Sequence, residues 1–362
     1  MVIGFTLGRY LSRRFLGTIM AVFGTVLALI VTIDFVELMR RAGDAEGASA
    51  QTMALLSFLR APSLAEQVLP FAVLFGAIAA LLSLSRKLEL VVARAAGVSA
   101  WEFLQPGVFV ALMVGVVSVA VYNPVSAYMK QRAAEIEARI FAKSTKFASG
   151  KDLWIRQRSI DGQAIIRAES GLEQTATLIR PTVFGFDQAG SFRERIEARQ
   201  AKLHDGYWEL TDARVTSVID EPQSYGTYLV ATTLQPDQVR RSFTPAESVP
   251  FWSLGEVIEQ TERAGLDATR YRLHQAVLMA RPLLLIAMVF VAASVSLRFF
   301  RSGGVSRMVF GGIVAGFMLY VATELMQDFG TSGLVGPQVA AWLPAVVGSL
   351  LGTLALLYQE DG

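Results

Sequence analysis

The sequence predicts an α+β membrane protein: six transmembrane helices in two groups of three, with a β-jelly-roll domain inserted between the third and fourth. Two observations carry that prediction. Of the 362 residues 53% are hydrophobic and only 18% charged, with a mean hydropathy of +0.44. Soluble domains usually carry about 25% charged residues. The charges are also unevenly placed, since residues 125–275 hold 20 of the 33 Lys+Arg and 20 of the 31 Asp+Glu. A polar domain therefore interrupts an apolar chain. The same figures exclude other classes. A net charge of +2 gives no basis for nucleic-acid binding, and the absence of cysteine removes disulfide frameworks and thiolate metal sites.

A bilayer core about 30 Å thick needs roughly 20 apolar residues of helix. That ruler finds six spans: Leu16 to Phe35, Leu64 to Leu84, Phe103 to Tyr122, Val277 to Leu297, Met308 to Met326 and Val339 to Tyr358. The first is too long for a signal peptide and is followed by Asp34, Glu37 and Arg40 rather than a small-x-small cleavage site, so it reads as an uncleaved helix. Orientation follows from the Lys/Arg bias of the short segments. With the N-terminus inside, Arg9, Arg13, Arg14, Arg86, Lys87, Arg94, Arg298, Arg301 and Arg307 are cytoplasmic, while the opposite short loops hold only Arg40, Arg41 and Arg60. Both termini are then cytoplasmic and the insert lies outside, in the periplasm if the source is a bacterium. The expected division is residues 1–124 (helices one to three, with a cytoplasmic helix at 86–98), 125–275 (the outer domain) and 276–362 (helices four to six).

Within the insert, residues 126–146 read as a helix continuing the third span, with Met129, Ala133, Ile136 and Ile140 on one stripe. Between about 152 and 233 the pattern changes to short alternating runs broken by turn residues. Strands are expected at Leu153–Arg158, Gln163–Ala168, Leu178–Phe186, Ser191–Arg199, Gly206–Leu210, Arg214–Ile219 and Tyr225–Thr232. Strands of this length and spacing suggest a sandwich or jelly roll. A helical segment, Leu254–Gln275, returns the chain to the membrane.

Several chemistries are missing. There is no Gly-x-x-x-x-Gly-Lys-Ser/Thr phosphate loop, and the only histidines, His204 and His274, are far apart in the polar region. No catalytic residue, metal ligand or cofactor site is expected. Gly330-Thr331-Ser332-Gly333 has the Gly-x-Ser-Gly form of an intramembrane serine protease, yet no histidine follows it, and it reads as a turn.

Four features remain. In the stretch after the second span, Leu88, Val91, Val92 and Ala95 share one helical face, Glu89 suits the positive N-terminal end and Gly97 suits a C-terminal cap. Such a helix either rests on the lipid interface or docks into a partner's groove. Arg40 and Arg41 end the first helix, where basic residues complement the dipole and snorkel. Paired guanidinium groups also bind phosphate bidentately, and Lys130 and Arg132, beyond the third span, could join that patch. Arg281, Glu324 and Asp328 lie at membrane depth, which makes them functional candidates, while an Arg281–Glu324 pair that closes the bundle is the rival reading. Gly311-Gly312-Ile-Val-Ala-Gly316 brings helix backbones close, either within the bundle or against a second subunit.

In order and spacing, the stretches Leu88-Glu-Leu-Val-Val-Ala-Arg-Ala-Ala-Gly-Val-Ser99, Leu153-Trp-Ile, Arg270-Tyr-Arg-Leu-His-Gln and Gly316-Phe-Met-Leu-Tyr-Val resemble the LptF/LptG permeases of the Gram-negative lipopolysaccharide exporter. Asp34-Phe-Val-Glu-Leu-Met-Arg-Arg41 is nearer the LptG branch, and the resemblance covers essentially the whole chain. It implies a coupling helix in which Glu89, with Leu88, Val92 and Arg94, contacts a dimeric LptB-like ATPase. It also implies lipid A phosphates held near Arg40 and Arg41, with Lys130 and Arg132 as further candidates. The implied partners are an LptF-like second permease, an LptC-like single-helix protein and a periplasmic bridge protein, in the inner membrane. ATP hydrolysis would be the partner's. Two other classes stay open on the residues alone: a proton-coupled transporter relaying through Asp34, Glu324 and Asp328, and a membrane assembly scaffold.

Overall fold

The structure, a computed structural model, describes residues 4–42, 49–141, 153–159, 162–172, 177–187, 191–217, 221–232, 245–263, 267–300 and 305–361. The chain divides into two compact units, one of Met1–Ile140, Glu247–Leu254 and Thr269–Gly362, the other of Phe141–Ala246 and Gly255–Ala268.

The first unit is helical. It contains α1 (Phe5–Ala42), α2 (Ala50–Arg86), the short α3 (Glu89–Ala95), α4 (Ala100–Val117), a π-turn (Ser118–Tyr122) and α5 (Asn123–Phe141). After the insert come α6 (Phe251–Arg263, whose first turn belongs here), α7 (Thr269–Phe300), α8 (Val305–Thr331) and α9 (Pro337–Asp361). Six helical stretches among the described residues are long and apolar enough to cross a membrane, and the helices that carry them contain all six expected spans. All six run longer than 20 residues, because helix continues past the apolar stretch on polar residues that periodicity alone does not flag. The third span continues through the π-turn into α5 as expected, with residues 142–146 outside the described range.

The bundle core is built from Leu11, Phe15 and Ile19 of α1, Leu74, Leu81 and Leu84 of α2, Leu104 of α4 and Leu285 and Met288 of α7. Small residues set the spacing. A Cβ on Gly76 would stand 2.5 Å from the Ile19 Cα, and one on Gly115 would stand 2.5 Å from the Pro282 Cα. Backbones therefore touch at α1/α2 and α4/α7. Gly312 and Gly316 do the same work at α8/α2, facing the side chains of Ile78 and Leu74. The glycine stripe thus packs within this chain. Helices α1 and α8 are the thinly covered ones: 11% of the residues in their most apolar stretches are buried, against 61% for α2.

The second unit is an antiparallel sheet of nine strands among the described residues, β1 (Leu153–Ser159), β2 (Gly162–Ala168), β3 (Ser170–Leu172), β4 (Thr177–Ile179), β5 (Thr182–Phe186), β6 (Phe192–Glu197), β7 (Gln200–His204), β8 (Tyr207–Ser217) and β9 (Gln223–Ala231). The order is β1-β2-β5-β6-β8-β7-β4-β3, with β9 on the other edge of β8. The sheet, barrel-like and roughly consistent with the expected jelly roll, has its core in Trp208, Ile166, Leu178, Val183, Ile196, Leu203 and Leu210. Two expected strands become one, since Gly206–Leu210 and Arg214–Ile219 are the halves of β8. They join at Asp212 (φ 51°), where β8 changes partner from β7 to β6. Conversely, expected Leu178–Phe186 is two strands broken at Arg180 (φ 47°) and Pro181, which has no N–H to give a ladder. β3 and β7 were not expected. Ile219 lies outside the described residues. The expected Leu254–Gln275 helix is two helices, α6 ending at Arg263 and α7 starting at Thr269.

Candidate functional site

At the end of the bundle where α1 begins, Leu88 adopts a left-handed backbone (φ 63°) that turns the chain from α2 into α3. A non-glycine residue there is strained by about 1–2 kcal/mol. Helix α3 then stops at Gly97 (φ 87°), with Val98 N–H bonded to the Ala93 carbonyl at 3.1 Å, the closure that a glycine after a helix permits. Two bonds inside Ser99-Ala-Trp-Glu102 restart the chain as α4: the Glu102 N–H donates to Ser99 Oγ at 3.2 Å and the Ser99 N–H to Glu102 Oε2 at 3.1 Å.

Between these points α3 is held from below. Leu90 is buried in the bundle core, and the Tyr10 hydroxyl of α1 donates to Glu89 Oε2 at 2.9 Å and lies 3.2 Å from Oε1. The expected apolar stripe stays uncovered, with Leu88 61%, Val91 42% and Val92 67% exposed. The side chain of Arg94 lies outside the described residues. What results is a short helix pinned on one side and presenting Glu89 beside an apolar face.

At the opposite end of α1, Arg40 and Arg41 share one carboxylate. Arg40 Nη2 lies 2.6 Å and Arg41 Nε 2.7 Å from the two oxygens of Glu37, and both guanidinium groups remain exposed. Arg60 of α2 lies 3.7 Å from Asp34 and 3.9 Å from Glu137 of α5, and Glu137 also acts electrostatically on Arg41. The converging ends of α1, α2 and α5 thus carry three arginines and three carboxylates, a balanced cluster. A phosphate placed here would take over hydrogen bonds that Glu37 now accepts. Lys130 and Arg132 do not share these acids: Lys130 lies 3.5 Å from Glu247, and Arg132 3.0 Å from Glu135 and over the Tyr128 ring.

The third group corrects an expectation. Arg281 of α7 pairs with Glu66 of α2, not with Glu324. Asn123 Nδ2 also donates to Glu66 Oε1 at 3.0 Å, while Asn123 Oδ1 accepts from the Phe251 N–H at 3.0 Å. Next to it Pro124 has no N–H, so the Ala120 carbonyl in the π-turn loses its helical donor and accepts instead from Trp252 Nε1 at 3.1 Å. Tyr122 OH donates to the Pro62 carbonyl at 2.9 Å. This node ties α2, the π-turn, the start of α6 and α7 together. Glu324 and Asp328 are instead exposed one turn apart on α8, and Asp34 belongs to the Arg60 cluster, so the acids of the relay reading lie in two separate places. The Gly330–Gly333 tetrapeptide is the expected turn, closing α8 with Gly333 at φ 75°.

Six bilayer-length helices, a β insert and a short helix with an exposed apolar face form one pattern over the chain. A family model described as "Lipopolysaccharide export system permease LptF/LptG" matches residues 9–359. The chain belongs to the LptF/LptG family. It is similar to the lipopolysaccharide export system permease protein LptG of Escherichia coli (strain K12), 25% identical over 357 residues that cover 95% of this chain and 94% of that protein. LptG of Haemophilus influenzae is 24% identical over 357 residues, 97% of this chain and 96% of its own. As an LptF/LptG permease the chain is a transport subunit of a lipopolysaccharide export system.

Sequence reasoning had singled out Glu89 and the arginines of this permease, but not Tyr10, Arg60, Glu137, Glu66 or Asn123 as their partners. Glu66 carried a usable signal, a carboxylate inside the apolar run Leu64–Leu84. Tyr10 carried none, because only the fold brings it within reach of a residue 79 positions later.

Proposed function

We propose that this chain is the LptG-type half of an ABC-type exporter that extracts lipopolysaccharide from the bacterial inner membrane and passes it to a periplasmic bridge. Residues 1–124 and 276–362 form the membrane part with both termini cytoplasmic, and 125–275 the periplasmic domain. An LptF-like permease completes the cavity, an LptB-like ATPase dimer supplies the energy, and an LptC-like single-helix protein joins the assembly. The observation that carries this reading is α3: an uncovered apolar face of Leu88, Val91 and Val92 beside a carboxylate, on a permease whose sequence has no phosphate loop of its own. Such a face fits a groove on a cytoplasmic partner, and Glu89 fits a cation there. Arg40 and Arg41, exposed on α1, would hold the lipid phosphates by exchanging Glu37 for the ligand, with Lys130 and Arg132 as outlying contacts. The test is purification from detergent. The wild-type chain is expected to retain an ATPase and Glu89→Arg to lose it while still inserting in the membrane; retention by the variant, or no ATPase with wild type, overturns the coupling assignment. Replacing Arg40 and Arg41 together by Glu should weaken lipopolysaccharide crosslinking near α1, and unchanged crosslinking returns them to a snorkelling role.

A further inference from the structure

The Tyr10 hydroxyl sits between both oxygens of Glu89, 2.9 Å from Oε2 and 3.2 Å from Oε1, and it is the only side chain bonded to that carboxylate among the described residues. A carboxylate has about four acceptor positions, so this bond fixes Glu89 without consuming it. Helix α3 has seven residues and is covalently continuous with α2, yet its side-chain hydrogen bond goes to α1. In α1, Leu11, Phe15 and Ile19 are buried and then no residue is until Leu38. Between those points α1 is a thinly held rod, buried at the end that Tyr10 occupies and again at Leu38 and Ala42. From Tyr10 to Arg40 it spans about 45 Å at 1.5 Å per residue.

We propose that Tyr10 is a positioning residue that joins the Glu89 helix to α1, so that displacement of α3 by the ATPase moves α1, and with it the Arg40/Arg41 end. This rests on the reading of α3 as an ATPase-docking helix. The left-handed Leu88 fits such a part, since it places a sharp, strained turn between α2 and α3 and lets α3 shift while α2 stays packed. Leu90 supplies the apolar contact of α3 with the bundle, and Tyr10 supplies direction.

The chain contains no cysteine, so two introduced cysteines can be labelled without removing any native residue. Met39 on α1 and Phe58 on α2 are exposed, 39% and 61%, and lie toward the far ends of their helices. Met39→Cys/Phe58→Cys, spin-labelled in the complete exporter in nanodiscs, should show a distance change on addition of ATP with vanadate. Tyr10→Phe keeps the ring and removes the hydroxyl. It should retain the ATPase on purification and hydrolyse ATP within twofold of the parent. The labelled distance change should shrink by at least half, and lipopolysaccharide released per ATP should fall about threefold to tenfold, the range one charge-assisted hydrogen bond on a half-exposed pair supports. An undiminished distance change, or hydrolysis and transport falling together, overturns the role of Tyr10. Absence of any ATPase from the parent complex instead overturns the docking reading on which it rests.

Discussion

Replacing Arg281 by Met leaves the Glu66 carboxylate in a site where only about a tenth of either side chain meets solvent. The missing guanidinium is not replaced by water there, so the screening that makes surface pairs nearly worthless does not apply. Removing one partner of a buried pair costs about 3–5 kcal/mol, most of it the stranded charge rather than the lost attraction. Glu66 keeps its 3.0 Å bond from Asn123, which places the expected cost at the lower end, about 3 kcal/mol. The double substitution Glu66→Gln/Arg281→Met removes the charge, keeps a Gln oxygen for Asn123, and should return stability to within about 1 kcal/mol of wild type. SDS-titrated unfolding of the detergent-purified chain measures all three. If the single variant loses under about 1 kcal/mol, or the double variant is no better than the single, the Glu66–Arg281 pair does not have the buried, mutually dependent character assigned to it.

Other consequences follow from single positions. Gly115→Ala should destabilise the bundle by about 1–3 kcal/mol because its Cβ meets the Pro282 backbone, whereas Gly24→Ala, which meets nothing within 4 Å, should be neutral or stabilise by up to about 1 kcal/mol in the same unfolding assay. Leu88→Gly should relieve a left-handed residue and raise stability by about 1 kcal/mol, while weakening ATPase retention because the exposed stripe loses its first side chain. In the β unit, burial and then the neighbouring Glu194 push the Tyr228 phenol up from 10.0. Its folded form therefore holds the proton more tightly than the unfolded chain. The stability it contributes is complete below about pH 10 and is lost as pH rises through the raised value. Amide exchange in β9, followed from pH 9 to 11, should accelerate in wild type more steeply than in Tyr228→Phe.

The candidate site was half legible before folding. Glu89, Leu88 and Val92 were readable because a short amphipathic helix writes its face at three- and four-residue spacing, and Gly97 at its end could be recognised from the backbone angle it permits. Arg40 and Arg41 were readable as a pair but not as a neutralised one. Glu37 lies within one turn of both, yet the charge balance also depends on Arg60 and Glu137 arriving from α2 and α5. The rival Arg281–Glu324 pairing fails for the same reason. Glu324 was chosen by depth along its span, whereas pairing depends on which helices are adjacent and how each is rotated. In the β insert, strand count failed at Asp212, where an acidic residue reads as a break but bends one continuous strand.

By itself the sequence determined the class of protein, the six spans, the place of the β insert and the apolar face of α3. Each of these is a local property, since apolar length, alternation and helical period are all set by residues within about one element of each other. Only the tertiary structure decided that Glu89 is held by Tyr10, that Glu66 answers Arg281, and that Gly312 and Gly316 pack against α2 of the same chain. Those are contacts between residues far apart in sequence. Which of them form is settled by how helices pack at their glycines and by the need of every buried charge to find a partner.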